Sequence, residues 1–188
     1  MQFLHTRFAD AWLIEPELRE DHRGGFARTY CERVFADHGC NLRFVQSSIS
    51  YNHRCGTLRG MHFQIAPYAE SKLVRCTRGE IFDVIVDLRP GSATQGEWQG
   101  FSLTAENHRS LLIPKGFAHG FQTLADGSEV LYQMDQYFHP QAARGFHHAD
   151  PAVGIIWPLE VAVLSEADAH LGSFVDVVDR ESPLPSLL

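Results

Sequence analysis

The run Glu80-Ile81-Phe82-Asp83-Val84-Ile85-Val86-Asp87-Leu88 constrains the fold more than any other stretch of the chain. In a β-strand successive side chains point to opposite faces. One alternating set is then Phe82, Val84, Val86 and Leu88, which is wholly apolar. The other is Ile81, Asp83, Ile85 and Asp87, which sets two carboxylates among aliphatic groups. The two faces must meet different surroundings. An inner face that carries carboxylates is what a barrel with a polar interior shows.

Much of the remaining chain reads the same way. Segments 44–51, 57–64, 72–77, 98–104, 110–113, 120–124 and 130–137 are short, rich in strand formers and bounded by Gly, Pro, Asn or Asp. One helix is predicted over 32–38, with Val34, Phe35 and His38 at helical spacing and Gly39 as the stop signal. Many evenly spaced strands with few helices predict an all-β jelly-roll barrel with a few short helices. At 188 residues the chain suits one domain over its whole length, with 182–188 as a loose tail.

Charge narrows the partners. Sixteen basic residues against twenty-three acidic ones give a net charge of −7, which disfavours nucleic acid as a ligand. Yet Arg54, Arg59, Lys72, Arg75 and Arg78 crowd one stretch, with Arg23 and Arg28 upstream. A local cationic site in an acidic protein suits a small anionic ligand. No apolar run is long enough for a membrane span. Cys31, Cys40, Cys55 and Cys76 form no C-x-x-C pair, and reduced thiols in a cytoplasmic protein are expected.

Two segments follow the general cupin pattern: Gly56, five residues, His62-Phe63-Gln64, then Lys72, six residues, Gly79; and Pro114-Lys115-Gly116-Phe117-Ala118-His119. Metal-binding cupins place a second histidine where Gln64 stands and a glutamate where Lys72 stands. An ammonium repels a divalent cation, and His62 with His119 alone would leave a metal under-coordinated. No metal and no other cofactor is expected. A cation at that place can instead stabilise the negative charge of an enolate.

The stretches Leu58-Arg59-Gly60-Met61-His62-Phe63-Gln64, Ser71-Lys72-Leu73-Val74-Arg75, Gly79-Glu80-Ile81-Phe82-Asp83-Val84, Ile113-Pro114-Lys115-Gly116-Phe117-Ala118-His119-Gly120-Phe121, Asp150-Pro151 and Ile156-Trp157-Pro158 together resemble the dTDP-4-dehydrorhamnose 3,5-epimerase family, in order and near its spacing. The resemblance implies a jelly-roll cupin fold, a homodimer and a nucleotide-diphosphate 4-keto-6-deoxy-sugar substrate. It implies His62 as the base that removes a C–H proton beside the ketone, a task suited to a side chain titrating near neutrality. A lone strand histidine is more often a core or surface group, but its Arg-Gly-x-His-x-Gln setting and the later Lys72 reverse that judgement. Asp168 is implied as the partner of the base, Lys72 as the group facing the C4 oxygen, and Tyr132 as the acid on the opposite sugar face. Arg23, Gln46, Ser48, Arg59 and His119 fall at substrate-contacting positions.

The likeness breaks down in the nucleotide-contacting shell. Arg28 stands for a glutamate, Gln46-Ser47-Ser48 for Gln-Asp-Asn, and Phe138 for a tyrosine that stacks on thymine; Ala143 and Ala167 replace a glutamate and a lysine. A guanidinium in place of a carboxylate reverses charge and hydrogen-bond polarity. These changes raise a second reading, a one-centre epimerase acting on a CDP- or GDP-linked sugar. A third, a non-catalytic sugar-nucleotide-binding cupin, is disfavoured because binding alone does not require base, enolate stabiliser and acid together.

Overall fold

Strand alternation sorts residues 80–88 between two separate cores. The computed structural model describes residues 1–181; the predicted tail at 182–188 lies outside them. In chain order the elements are β1 (Gln2–His5), β2 (Trp12–Glu15), β3 (Arg19–Asp21), β4 (Gly24–Phe26), α1 (Glu32–Asp37), β5 (Gln46–Asn52), β6 (Leu58–Gln64), β7 (Lys72–Arg78) and β8 (Glu80–Asp87). They continue with β9 (Trp98–Thr104), β10 (Ser110–Ile113), β11 (Phe117–Thr123), β12 (Ser128–Met134), β13 (Ala143–Gly145), α2 (Glu166–Ala169) and α3 (Phe174–Glu181). A six-stranded sheet runs β1-β2-β10-β7-β12-β5, and a five-stranded sheet runs β13-β6-β11-β8-β9. All pairings within them are antiparallel. The two facing sheets form a jelly roll of the cupin type, as the alternation predicts.

From β8, Ile81 and Ile85 enter the core between the sheets, where they meet Val74 of β7, Leu111 of β10 and Phe121 of β11. Val84 and Val86 point the other way, into an outer cluster with Met61 and Phe146, against which Trp157 and Phe174 pack. Each such buried side chain contributes about 1.5–3 kcal/mol relative to exposure. A third cluster, Ile14, Leu73 and Leu112, covers the outer face of the six-stranded sheet with Phe35 of α1. Asp83 and Asp87 are fully buried on the inner face of β8. Burial pushes the Asp87 carboxyl up, but Arg89 and the hydroxyls of Ser92 and Thr94 outweigh it and hold its pKa at about 2. Asp83 serves the site described below.

Several elements differ from the sequence reading. β1 and β2 were not predicted; at four residues each, they are too short for alternation to stand out, and β2 is created by pairing to β10 and β1 by pairing to β2. The β3–β4 hairpin, β13, α2 and α3 were not predicted either. β11 begins at Phe117 rather than at 120, and β12 ends at Met134 rather than at 137, which leaves Tyr137 and Phe138 exposed beyond the sheet. The basic stretch also divides by strand parity. Lys72 lies on the inner side with Val74, and Arg75 projects from the opposite face of β7.

The contact between β6 and β11 is irregular at one point that matters for function. His62 is paired with His119, but Arg59 is paired with Phe121, so the register shifts between them. A regular strand would send Arg59 and His62 to opposite faces; here both line one cavity. Gly60 makes this possible. Its φ is +128°, and an added Cβ would lie 2.6 Å from the Gly120 Cα and 3.0 Å from the His119 carbonyl oxygen. Gly60→Ala should therefore destabilise the fold by about 2–4 kcal/mol. Gly91→Ala, at φ +76° with open space around it, should cost only about 1–2 kcal/mol. Urea unfolding of the two variants checks the difference, and equal losses would show that β6 and β11 do not need their close approach.

Candidate active site

Between the sheets lies a cavity of about 310 Å³ lined by Arg59, His62, Lys72, His119, Tyr132 and Asp168, with Ser50, Gly120, Phe121 and Ser165 completing the wall. Arg59, His62 and His119 come from the five-stranded sheet, and Lys72, Tyr132 and Ser50 come from the six-stranded one. The imidazoles and the phenol therefore approach the space from opposing walls.

His62 Nε2 lies 2.7 Å from Asp168 Oδ1. A carboxylate only accepts, so the ring N–H donates and the other ring nitrogen is left free to take a proton. Asp168 is itself held in place. Its backbone N–H donates to Ser165 Oγ at 3.0 Å at the start of α2, and its Oδ2 accepts the Gly60 N–H at 3.3 Å. The aspartate is 6% exposed, while the His62 side chain is 48% exposed and so open to a ligand.

His119 Nε2 lies 2.8 Å from Asp83 Oδ1, and both residues are buried. Asp83 Oδ2 has no partner among the described residues. Burial pushes the Tyr132 phenol well above the ordinary tyrosine range, the Asp83 charge adds to this, and Arg59 opposes it. Tyr132 thus keeps its proton at neutral pH, as a donor must. Its ring stands 6.0 Å from that of His119. Arg59 Nε donates to Asn52 Oδ1 at 2.8 Å, which tethers the guanidinium at the cavity wall.

A second hollow of about 390 Å³ shares His62 and Lys72 with the first and is walled by Gln64, Glu70, Phe138 and Arg144. Phe138 is 59% exposed, yet its backbone is fixed on both sides. Its own N–H donates to Gln46 Oε1 at 3.1 Å, the Tyr137 carbonyl accepts from Gln64 Nε2 at 3.2 Å, and the His139 N–H donates to Gln64 Oε1 at 2.6 Å. A presented aromatic face on a rigid backbone is suited to stacking on a planar base. Ala143 lies in this hollow, and Ala167 is exposed on α2.

Not every expected residue reaches the cavity. Ser48 sits directly across from Tyr132 on β5 without lining it. Arg23 is on the exposed β3–β4 hairpin, bound to Asp21 at 2.6 Å, and Arg28 lines a separate hollow with Met1, Glu17 and Arg19. The reason is topological: that hairpin forms its own two-stranded sheet outside both large ones. The sequence reading missed Glu70, Ser50 and Ser165, and it gave Asp83 no role in the site. Only Asp83 left a signal, as a charge on an otherwise aliphatic strand face. Among the described residues no three His, Cys, Asp or Glu side chains converge as a metal-ion ligand set.

The family model described as dTDP-4-dehydrorhamnose 3,5-epimerase matches residues 5–176. This chain belongs to that family. A dTDP-4-dehydrorhamnose 3,5-epimerase of Methanothermobacter thermautotrophicus is 46% identical over 172 residues, covering 90% of this chain and 92% of its own. The crystal structure of the Bacillus anthracis enzyme with TDP and PPi bound has a TM-score of 0.89 at 43% identity, covering 92% of this chain and 98% of that one. The Legionella pneumophila enzyme in complex with dTDP-4-keto-L-rhamnose gives a TM-score of 0.89 at 38% identity, with coverage of 96% and 95%. Within this epimerase family frame, the His62–Asp168 contact has a direct test. Asp168→Asn keeps shape but can present an amide N–H to the imidazole, favouring the wrong tautomer. Turnover should fall about 10²-fold or more with KM little changed; a fall under about threefold would show that His62 does not depend on the carboxylate.

Proposed function

We propose that this chain epimerises a dTDP-linked 4-keto-6-deoxy sugar at C3 and C5, with His62 as base, Lys72 as enolate stabiliser and Tyr132 as acid. One observation carries the reading: a carboxylate-held imidazole and a buried, protonated phenol face one cavity from opposite sheets, with an ammonium beside them. The C4 ketone acidifies the C–H bonds on either side of it. His62 takes such a proton, and the C–H electron pair moves through the C–C bond to the C4 oxygen. The Lys72 ammonium stabilises the enolate oxygen, more strongly in a partly dehydrated cavity than in water. The enolate then collapses to the ketone as Tyr132 delivers its phenolic proton to the carbon from the other side. Inversion follows because loss and gain occur on opposite faces. The phenolate regains a proton from solvent and the imidazolium releases one, so the site is reset.

Arg59 supports diphosphate binding by charge-assisted hydrogen bonds, with His119 beside the sugar and Phe138 under the base. The retained aromatic face and the dTDP-using relatives favour dTDP over the CDP- or GDP-linked alternatives. Titration calorimetry with dTDP, CDP and GDP should show dTDP binding tightest. We also propose that the chain works as a single-domain protein in the cytoplasm, in deoxysugar biosynthesis, and as a homodimer. The exposed β3–β4 hairpin, whose Phe26 is 72% exposed, then serves the partner's cavity, which would reconcile the binding roles expected of Arg23 and Arg28 with their distance from their own. A solution mass of twice the 21.2 kDa protomer supports this; a monomer of full activity overturns it.

The main test is solvent deuterium incorporation. Incubated in heavy water with dTDP-4-keto-6-deoxyglucose, the protein should place deuterium at both C3 and C5; label at one position alone would make it a one-centre epimerase. His62→Ala should abolish exchange. Tyr132→Phe should cut inversion about 10²-fold or more while exchange falls less. Equal, mild effects of the two substitutions would overturn the assignment of base and acid.

A further inference from the structure

We propose that Glu70 is a positioning residue for the reaction, acting through Lys72; this rests on the role given to Lys72 above. Lysine carries its charge on a flexible four-carbon stem, so an ammonium that must meet one oxygen atom needs something to aim it. The backbone here is already fixed. The Ser71 N–H donates to Asp135 Oδ1 at 2.6 Å, and the Ser71 carbonyl accepts the Asp135 N–H at 3.2 Å. What remains free is the lysine side chain, and Glu70 Oε1 holds its Nζ at 3.1 Å.

Both partners are largely enclosed, with side-chain exposures of 14% for Lys72 and 10% for Glu70. That separates this pair from exposed ion pairs such as Arg23–Asp21, whose contribution is small. Glu70 is in turn fixed from its other oxygen, since Oε2 accepts from Gln64 Nε2 at 3.1 Å. Gln64 is 5% exposed and is the same amide that clamps the backbone around Phe138. A chain of direct contacts therefore runs from the backbone on either side of Phe138 to the ammonium. One of the three ammonium protons is directed at Glu70, which orients the other two toward the cavity.

A double-mutant cycle on deuterium exchange separates this role from general support of the fold. Glu70→Gln keeps the contact with Gln64 and removes the charge that holds Lys72. Its kcat should fall about tenfold or more with KM within about twofold. In a Lys72→Met background, with residual exchange followed over long incubations, the same substitution should have no further effect. Glu70→Asp, which retracts the carboxylate by one methylene, should show a smaller fall that also vanishes in that background; it carries the cycle if Glu70→Gln does not fold. A near-normal kcat for Glu70→Gln, or an equal fall with and without Lys72, overturns the proposal and leaves the epimerase reading intact. Lys72→Met with unchanged exchange would instead overturn the role of Lys72, and with it the reading on which this one rests.

Discussion

The close approach of β6 and β11 is the constraint on which the rest of the site depends. Two glycines, Gly60 and Gly120, let the backbones meet where side chains would keep them apart. The register slips there, and the slip turns Arg59 and His62 to the same side. Without it, one strand could not supply both a cationic contact for the ligand's diphosphate and the base proposed here. The same place binds the carboxyl-terminal part of the chain, because the Gly60 N–H donates to Asp168. Backbone geometry, base and base partner are thus fixed by one local arrangement.

The barrel interior also has to hold charge without water. Asp83, Asp87, Asp168, Glu70 and Lys72 all lie at or near full burial. An unpaired ion at such depth is strongly unfavourable, so each has a partner: His119 for Asp83, Arg89 for Asp87, His62 for Asp168, and Glu70 with Lys72 for each other. The exception is instructive. Asp83 Oδ2 is left without a hydrogen bond beside Tyr132, and its charge raises the energy of a phenolate there. Burial chiefly keeps the phenol protonated, and the group that orients His119 adds to that.

How much of this was legible in the sequence depends on the range of the signal. The strand 80–88 could be read because alternation is local: the two-set pattern of β8 predicted both of its surroundings, including the buried carboxylates. The cupin spacing likewise put Lys72 and Gln64 at positions where metal ligands would stand. β1 and β2 were not legible, since four residues are too few for a pattern and β2, on which β1 pairs, finds its own partner β10 about a hundred residues away. Asp168 was reached only through family resemblance; nothing in Ser165-Glu166-Ala167-Asp168 marks a contact with His62 across 106 positions. The expectation that Arg75 would join Lys72 in one cationic site overlooked strand parity, which sends the two to opposite faces of β7.

On the roles proposed for His62 and Tyr132, opposed walls let the site invert carbon centres, where a one-sided cluster would only exchange their hydrogens. Had base and acid shared a sheet, proton loss and return would occur on one face, and the starting configuration would be regenerated. The two sheets of a jelly roll face one another across a core about 10 Å thick. In the proposed reaction a planar enolate held between them would turn one face toward His62 and the other toward Tyr132. Lys72, at the end of β7 where the six-stranded sheet borders both hollows, can meet the in-plane oxygen without blocking either face. On these proposed roles the stereochemical outcome follows from the fold's layering, because the layering sets which wall carries each side chain.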